Sequence, residues 1–123
     1  MKATKRSQYA LRAMILLGEK PLSLRIIAEK EEIPFDYLEK IFSRLEKNGL
    51  VISKRGSAGG YTLPQKEVTL KDIFEALEEP VFVVDCMEKN CPRNGTCTAS
   101  KAWKKVNKAI KDSLYSVKLS HLK

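Results

Sequence analysis

At 123 residues the chain can build one modest core with an appendage, not two independent domains. Hydrophobic residues make up 43% of it, enough to fold, and no apolar run approaches the ~18 residues of a membrane span, so we expect no membrane partner and a cytoplasmic site of action. The formal charge of +8 and pI near 9.5 favour an anionic partner, with a merely solvated basic surface as the plain alternative.

The start, Met1-Lys2-Ala3-Thr4-Lys5-Arg6, is basic, but an amphipathic stretch carrying Arg12 and Glu19 follows it instead of an apolar signal core. From Thr4, a candidate N-cap, to Gly18, a candidate stop, Tyr9, Ala10, Ala13, Met14, Leu16 and Leu17 recur at helical spacing. Ser23 caps a short second helix whose apolar face is Leu24, Ile27 and Ala28. After the turn Glu31-Glu32-Ile33, Pro34 suits the first turn of a third helix, in which Tyr37, Leu38, Ile41, Phe42 and Leu45 recur until Asn48-Gly49. Two helices joined by a tight turn predict a helix-turn-helix.

Leu50-Val51-Ile52-Ser53, a basic glycine-rich tip from Lys54 to Gly60, and Tyr61-Thr62-Leu63-Pro64 predict a β-hairpin. Thr69-Leu70-Lys71-Asp72 has the capping-box pattern and opens a helix through Ile73, Phe74 and Leu77, stopping before Pro80. Beyond the last cysteine, Trp103, Val106, Ile110, Leu114 and Val117 fall on one stripe of a long helix, whose other faces carry Lys101, Lys104, Lys105, Lys108, Lys111 and Asp112. The expected fold is mainly α with a small β-hairpin wing. A winged helix-turn-helix occupies residues 1–80, a cysteine loop 81–97 and a dimerisation helix 98–123.

With that apolar set, Tyr37 included, turned inward, the third helix leaves Phe35, Asp36, Glu39, Lys40, Ser43, Arg44 and Lys47 outward, and Tyr37 is counted with Asp36, Glu39, Lys40, Ser43, Arg44 and Lys47 among the candidate DNA-binding residues. Lys40, Arg44 and Lys47 suit phosphates or guanine edges, Glu39 suits a cytosine amino group, and Ser43 can bond to either. Lys54 and Arg55 sit at the hairpin tip, where Gly56, Gly59 and Gly60 permit positive φ and Tyr61 closes the turn; Arg55 suits a minor groove or a bidentate phosphate clamp.

The three cysteines, Cys86, Cys91 and Cys97, are spaced C-x4-C-x5-C. An odd number cannot pair fully within one chain, and a reducing cytoplasm disfavours a structural disulfide. Three thiolates in so short a loop suit a soft metal. A Cys3His zinc site with His121, the sole histidine, and unliganded or redox-paired thiols are the alternatives. A thiol redox enzyme would need a positioned base beside the nucleophile, and no pattern supplies one.

The run from Asp36 to Val51, DYLEKIFSRLEKNGLV, then Arg55-Gly56 and Gly59-Gly60-Tyr61, Tyr9-Ala10 with Ala13-Met14, the three cysteines and the long last helix resemble the iron–sulfur winged-helix transcriptional regulators of the IscR and NsrR type. The resemblance covers nearly the whole chain. It implies a homodimeric cytoplasmic transcription factor, expected to act as a repressor, whose two- or four-iron cluster on the cysteines reports iron–sulfur status, redox state or nitric oxide. Two copies would meet an inverted-repeat operator in double-stranded DNA. The pattern departs at the fourth ligand. The IscR type has a histidine where this chain has Ser100, and the NsrR type takes an aspartate from the partner's first helix where this chain has Gln8. Asp85, Glu88, a partner's Gln8, water or a small thiol are the candidates that remain.

Overall fold

The computed structural model describes residues 3–18, 20–56, 59–79 and 98–122. Its elements are α1 (Lys5–Leu16), α2 (Leu24–Glu31), α3 (Phe35–Lys47), β1 (Ile52–Lys54), β2 (Gly60–Thr62), α4 (Leu70–Ala76), α5 (Ser100–Ser116) and a 3-10 turn (Leu119–His121). The protein is mainly α with a two-stranded antiparallel sheet. Among the described residues no helix is long and apolar enough to cross a membrane.

Three helices begin where a side chain relieves a free amide. Thr4 accepts from the Ser7 N–H, Ser23 from the Ile26 N–H and Thr69 from the Asp72 N–H, while the Asp72 carboxylate accepts the Thr69 N–H at 2.9 Å. Pro34 is the N-cap of α3, one position ahead of the first-turn placement that the sequence suggests. The helix ends are also local chemistry. Around Glu32, at φ 55°, the Ile33 N–H reaches back to the Ala28 carbonyl at 3.0 Å; around Gly49, at φ 73°, the Leu50 N–H reaches the Leu45 carbonyl at 2.9 Å. Glycine adopts that conformation freely, whereas Glu32 bears a cost of roughly 1–2 kcal/mol. α1 closes on Leu17, whose N–H returns to the Met14 carbonyl, one residue before the glycine expected to stop it.

Ala10, Ala13, Met14 and Leu17 from α1, Ile27 and Ala28 from α2, Leu38, Ile41, Phe42 and Leu45 from α3, and Ile73 and Leu77 around α4 form one buried cluster. The hairpin pairs Ile52 with Thr62, Ser53 with Tyr61 and Lys54 with Gly60. Its strands are shorter and set further toward the tip than the apolar run suggests, because Leu50 and Val51 are spent closing α3 and filling the core.

Val117 leaves α5 in an extended conformation, so it ends the helical stripe instead of continuing it. The chain then returns to the body. The Leu70 N–H bonds to the Val117 carbonyl at 2.9 Å, the Leu119 N–H bonds to the Val68 carbonyl at 3.0 Å, and Leu119 joins the core. Residues 117–119 are thus built into the winged unit, across the boundary drawn from sequence at residue 98. Along α5 itself Asn107 is the only buried residue, and Trp103 and Val106 are 37% and 43% exposed.

Phe42 is shared by the core and the wing, so Phe42→Ala should lower unfolding free energy by about 3–5 kcal/mol. Urea unfolding measures this. A loss no larger than that of an exposed-site substitution would show that the two units are not packed through this ring.

Candidate nucleic-acid interface

The outward face of α3 is set by how the helix is held. Leu38, Ile41, Phe42 and Leu45 are buried, which turns Asp36, Tyr37, Glu39, Lys40, Ser43, Arg44 and Lys47 outward; all seven are exposed. Asp36 lies in the first turn, where a negative charge complements the helix dipole, and Arg44 and Lys47 lie in the last. Tyr37 is braced edge-on by Tyr9 of α1, with ring centres 5.6 Å apart at 86°. Arg12, with its guanidinium 5.8 Å over the Tyr9 ring, pairs with Glu31 at 3.1 Å and donates to the Glu31 carbonyl. This ties α1, the end of α2 and the start of α3 together.

Arg44 meets Glu78 at 3.9 Å, but both side chains are exposed, so the pair is weak and Arg44 can be taken up by another anion. Among the described residues Lys40, Lys47, Lys54 and Arg55 have no carboxylate partner.

The wing is fastened at its base. Leu22 and Tyr61 exchange backbone hydrogen bonds, Leu22 N–H to Tyr61 carbonyl at 3.0 Å and Tyr61 N–H to Leu22 carbonyl at 2.8 Å. The Tyr61 ring stands edge-on to Phe42, with centres 5.0 Å apart at 84°. Such closeness requires glycine at position 60: a Cβ there would lie 2.4 Å from the Leu22 carbonyl atoms and 2.8 Å from the Ser23 nitrogen, at a φ of 151°. At Gly59 a Cβ would meet the Lys54 carbonyl oxygen at 2.3 Å. The two glycines therefore set where Lys54 and Arg55 stand, both exposed. Tyr61 itself is partly buried, and its ring packs against the core cluster.

Burial, then the carboxylates of Glu46 and Glu39, push the Tyr61 phenol above its usual value. A tyrosine that favours its protonated form in the fold stabilises fully below pH 10, where the unfolded group ionises; that contribution is lost as pH rises through the higher folded value. Comparing urea midpoints of wild type and Tyr61→Phe at neutral pH and above pH 10 should show a smaller alkaline loss in the variant. Equal losses would mean the phenol is not perturbed by the fold.

The candidate metal ligands Cys86, Cys91 and Cys97 lie outside the described residues, as do Asp85 and Glu88. Among the described residues no group of three or more His, Cys, Asp or Glu side chains is arranged to hold a metal ion. His121 follows α5, which rises roughly 24 Å from Ser100 to Ser116. Gln8 is exposed on α1, where its Nε2 donates to the Ala3 carbonyl at 3.1 Å. Glu79, the last residue described before the cysteines, is held by Arg6 at 3.4 Å and accepts from the Thr4 hydroxyl. Sequence reading did not single out Arg25, whose guanidinium lies 4.9 Å over the Phe35 ring. The two are ten positions apart across a turn, and helical periodicity carries no signal for such a pair.

The chain matches the Rrf2 family, described as iron-dependent transcriptional regulators, over residues 3–123. It is 35% identical to protein rrf2 of Nitratidesulfovibrio vulgaris, with 99% of this chain and 87% of the relative covered. Among solved structures, CymR (YrzC), the global cysteine regulator of B. subtilis, is similar at a TM-score of 0.79 and 34% identity over 99% of this chain and 95% of that one. T. potens IscR is similar at a TM-score of 0.78 and 31% identity, over 99% and 85%.

Proposed function

The chain belongs to the Rrf2 family of transcriptional regulators, and from that premise we propose that it binds an inverted-repeat operator as a homodimer under the control of an iron–sulfur cluster on Cys86, Cys91 and Cys97. It is an IscR-like helix-turn-helix regulator and not an enzyme, which sets aside the thiol redox reading.

One observation carries the DNA-binding part. The exposed face of α3 and the basic wing are joined through Phe42, Tyr61 and Leu22, so the cations of both are presented together. Lys40, Arg44 and Lys47 meet phosphates or guanine edges, Asp36, Glu39 and Ser43 discriminate base edges, and Lys54 and Arg55 reach the backbone or minor groove on one side. Homodimer pairing is supported by the first half of α5, where Trp103 and Val106 stand exposed on an apolar stripe whose later members, Ile110 and Leu114, are half-buried. Pairing along it would set two reading helices against successive major grooves.

The cysteine donor set fits an iron–sulfur cluster better than zinc. Three thiolates suit either, but a zinc site completed by His121 needs that side chain brought back from beyond the far end of α5. When bound, such a cluster supplies a redox-active, nitric-oxide-reactive iron centre. The chain's own part is mechanical. Arg6 and Thr4 hold Glu79 just ahead of the cysteines, and α5 follows them, so assembling a cluster between the two would fix the angle between the winged unit and the pairing helix. Coupling of ~1–3 kcal/mol between cluster and operator is the expected scale. Likeness to CymR supports a second reading, a regulator that answers to a small sulfur compound.

Protein prepared without oxygen should be coloured and carry iron and sulfide, and Cys91→Ser should bleach it because an alcohol ligates iron poorly. Colourless protein with stoichiometric zinc favours the braced-module alternative; metal-free protein whose operator affinity shifts with added cysteine favours the second reading. Operator and mixed-sequence DNA affinities should both fall steeply with salt, since several phosphates are neutralised at once. A salt-independent affinity would remove α3 and the wing as the contact surface.

A further inference from the structure

Of the described arginines, Arg6, Arg12 and Arg44 each face a carboxylate, whereas Arg25 and Arg55 do not. Arg55 belongs to the wing. Arg25 stands in the first turn of α2, exposed, with its guanidinium 4.9 Å over the ring of Phe35, the first residue of the reading helix. The turn that carries it is anchored next to the wing, because α2 begins two residues after Leu22, which exchanges both backbone hydrogen bonds with Tyr61. Three elements that sequence alone keeps apart are thereby brought to one place: the start of α2, the start of α3 and the base of the wing.

We propose that Arg25 is a further DNA contact, a phosphate clamp positioned by Phe35, which holds the backbone flanking the groove that α3 enters. The inference rests on the DNA-binding reading above. The Phe35 ring, 4.9 Å from the guanidinium carbon, fixes where the cation stands, and no described carboxylate takes up its N–H groups, which arginine can present to phosphate oxygens in a paired, bidentate fashion. An unpaired arginine also brings no carboxylate that must be displaced before a phosphate can bind. Because phosphate contacts position a protein without reading bases, Arg25 adds affinity on any sequence.

The experiment titrates a short mixed-sequence duplex and an operator obtained by in vitro selection with wild type, Arg25→Ala, Phe35→Leu and the double variant, across a salt series. Arg25→Ala should weaken binding to both duplexes by about tenfold at low salt and shrink the salt slope by about one, with the unfolding midpoint unchanged. Phe35→Leu should cause a smaller loss that vanishes in the Arg25→Ala background, since its ring acts through the arginine. If wild type binds both duplexes and Arg25→Ala leaves affinity and slope unchanged, the clamp is refuted while the DNA-binding reading stands. Wild type that binds neither duplex overturns both. A Phe35→Leu loss equally large without Arg25 refutes the positioning role.

Discussion

The placing of the wing against α3 depends on the antiparallel bridge between Leu22 and Tyr61. A two-stranded hairpin is marginal on its own, and three paired residues per strand cannot hold a basic tip in place. Two extra backbone hydrogen bonds make Leu22, just ahead of the second helix, behave as a third, very short strand, and the Tyr61 ring on Phe42 adds a packed contact to α3 beneath it. Gly60 is the condition for this closeness, since any side chain would collide with the Leu22 backbone. The bridge turns a helix pair and a hairpin into one rigid body.

Charge distribution follows the same division between holding and presenting. Arg6 and Arg12 are used internally, one pairing with Glu79 and the other with Glu31 and its carbonyl. The cations of α3 and the wing are either unpaired or paired weakly across solvent. Exposed pairs contribute little to stability, so the outward cations are available to an anionic partner at little cost to the fold. The net charge of +8 is therefore informative about binding mainly through where its unpaired members stand.

Much of the architecture is legible in the sequence because its causes are local. Thr4, Ser23 and Thr69 cap helices through atoms three residues away, and the Leu38, Ile41, Phe42, Leu45 spacing assigns inside and outside on α3 directly. What is not legible is non-local. Leu50 and Val51 look like strand residues until the turn at Gly49 commits them to the core. The glycine pair at 59 and 60 reads as a flexible tip, while Gly60 answers to a backbone nearly forty residues earlier. Tyr61 is found by its motif, yet its packing on Phe42 is a property of the fold. Most outward residues of α3 follow from periodicity, but Phe35, expected outward, packs against the core and Tyr37, grouped with the inward set, is exposed; the Arg25 and Phe35 pairing does not follow from it either. The cysteine spacing is plain in sequence, and its geometry lies outside the described residues.

The return of the chain after the last long helix has a consequence for how the protein is made. Leu119 joins the core cluster, and its amide and that of Leu70 close the backbone between Val68 and Val117. These contacts join distant parts of the chain, which makes them slow to form. As synthesis proceeds from the N-terminus, the helix-turn-helix and hairpin emerge early but keep an open seam until Leu119 has left the ribosome. The cysteines emerge before that seam closes. Under the cluster reading proposed above, loading of the cysteines could therefore begin on a winged unit whose core is not yet sealed.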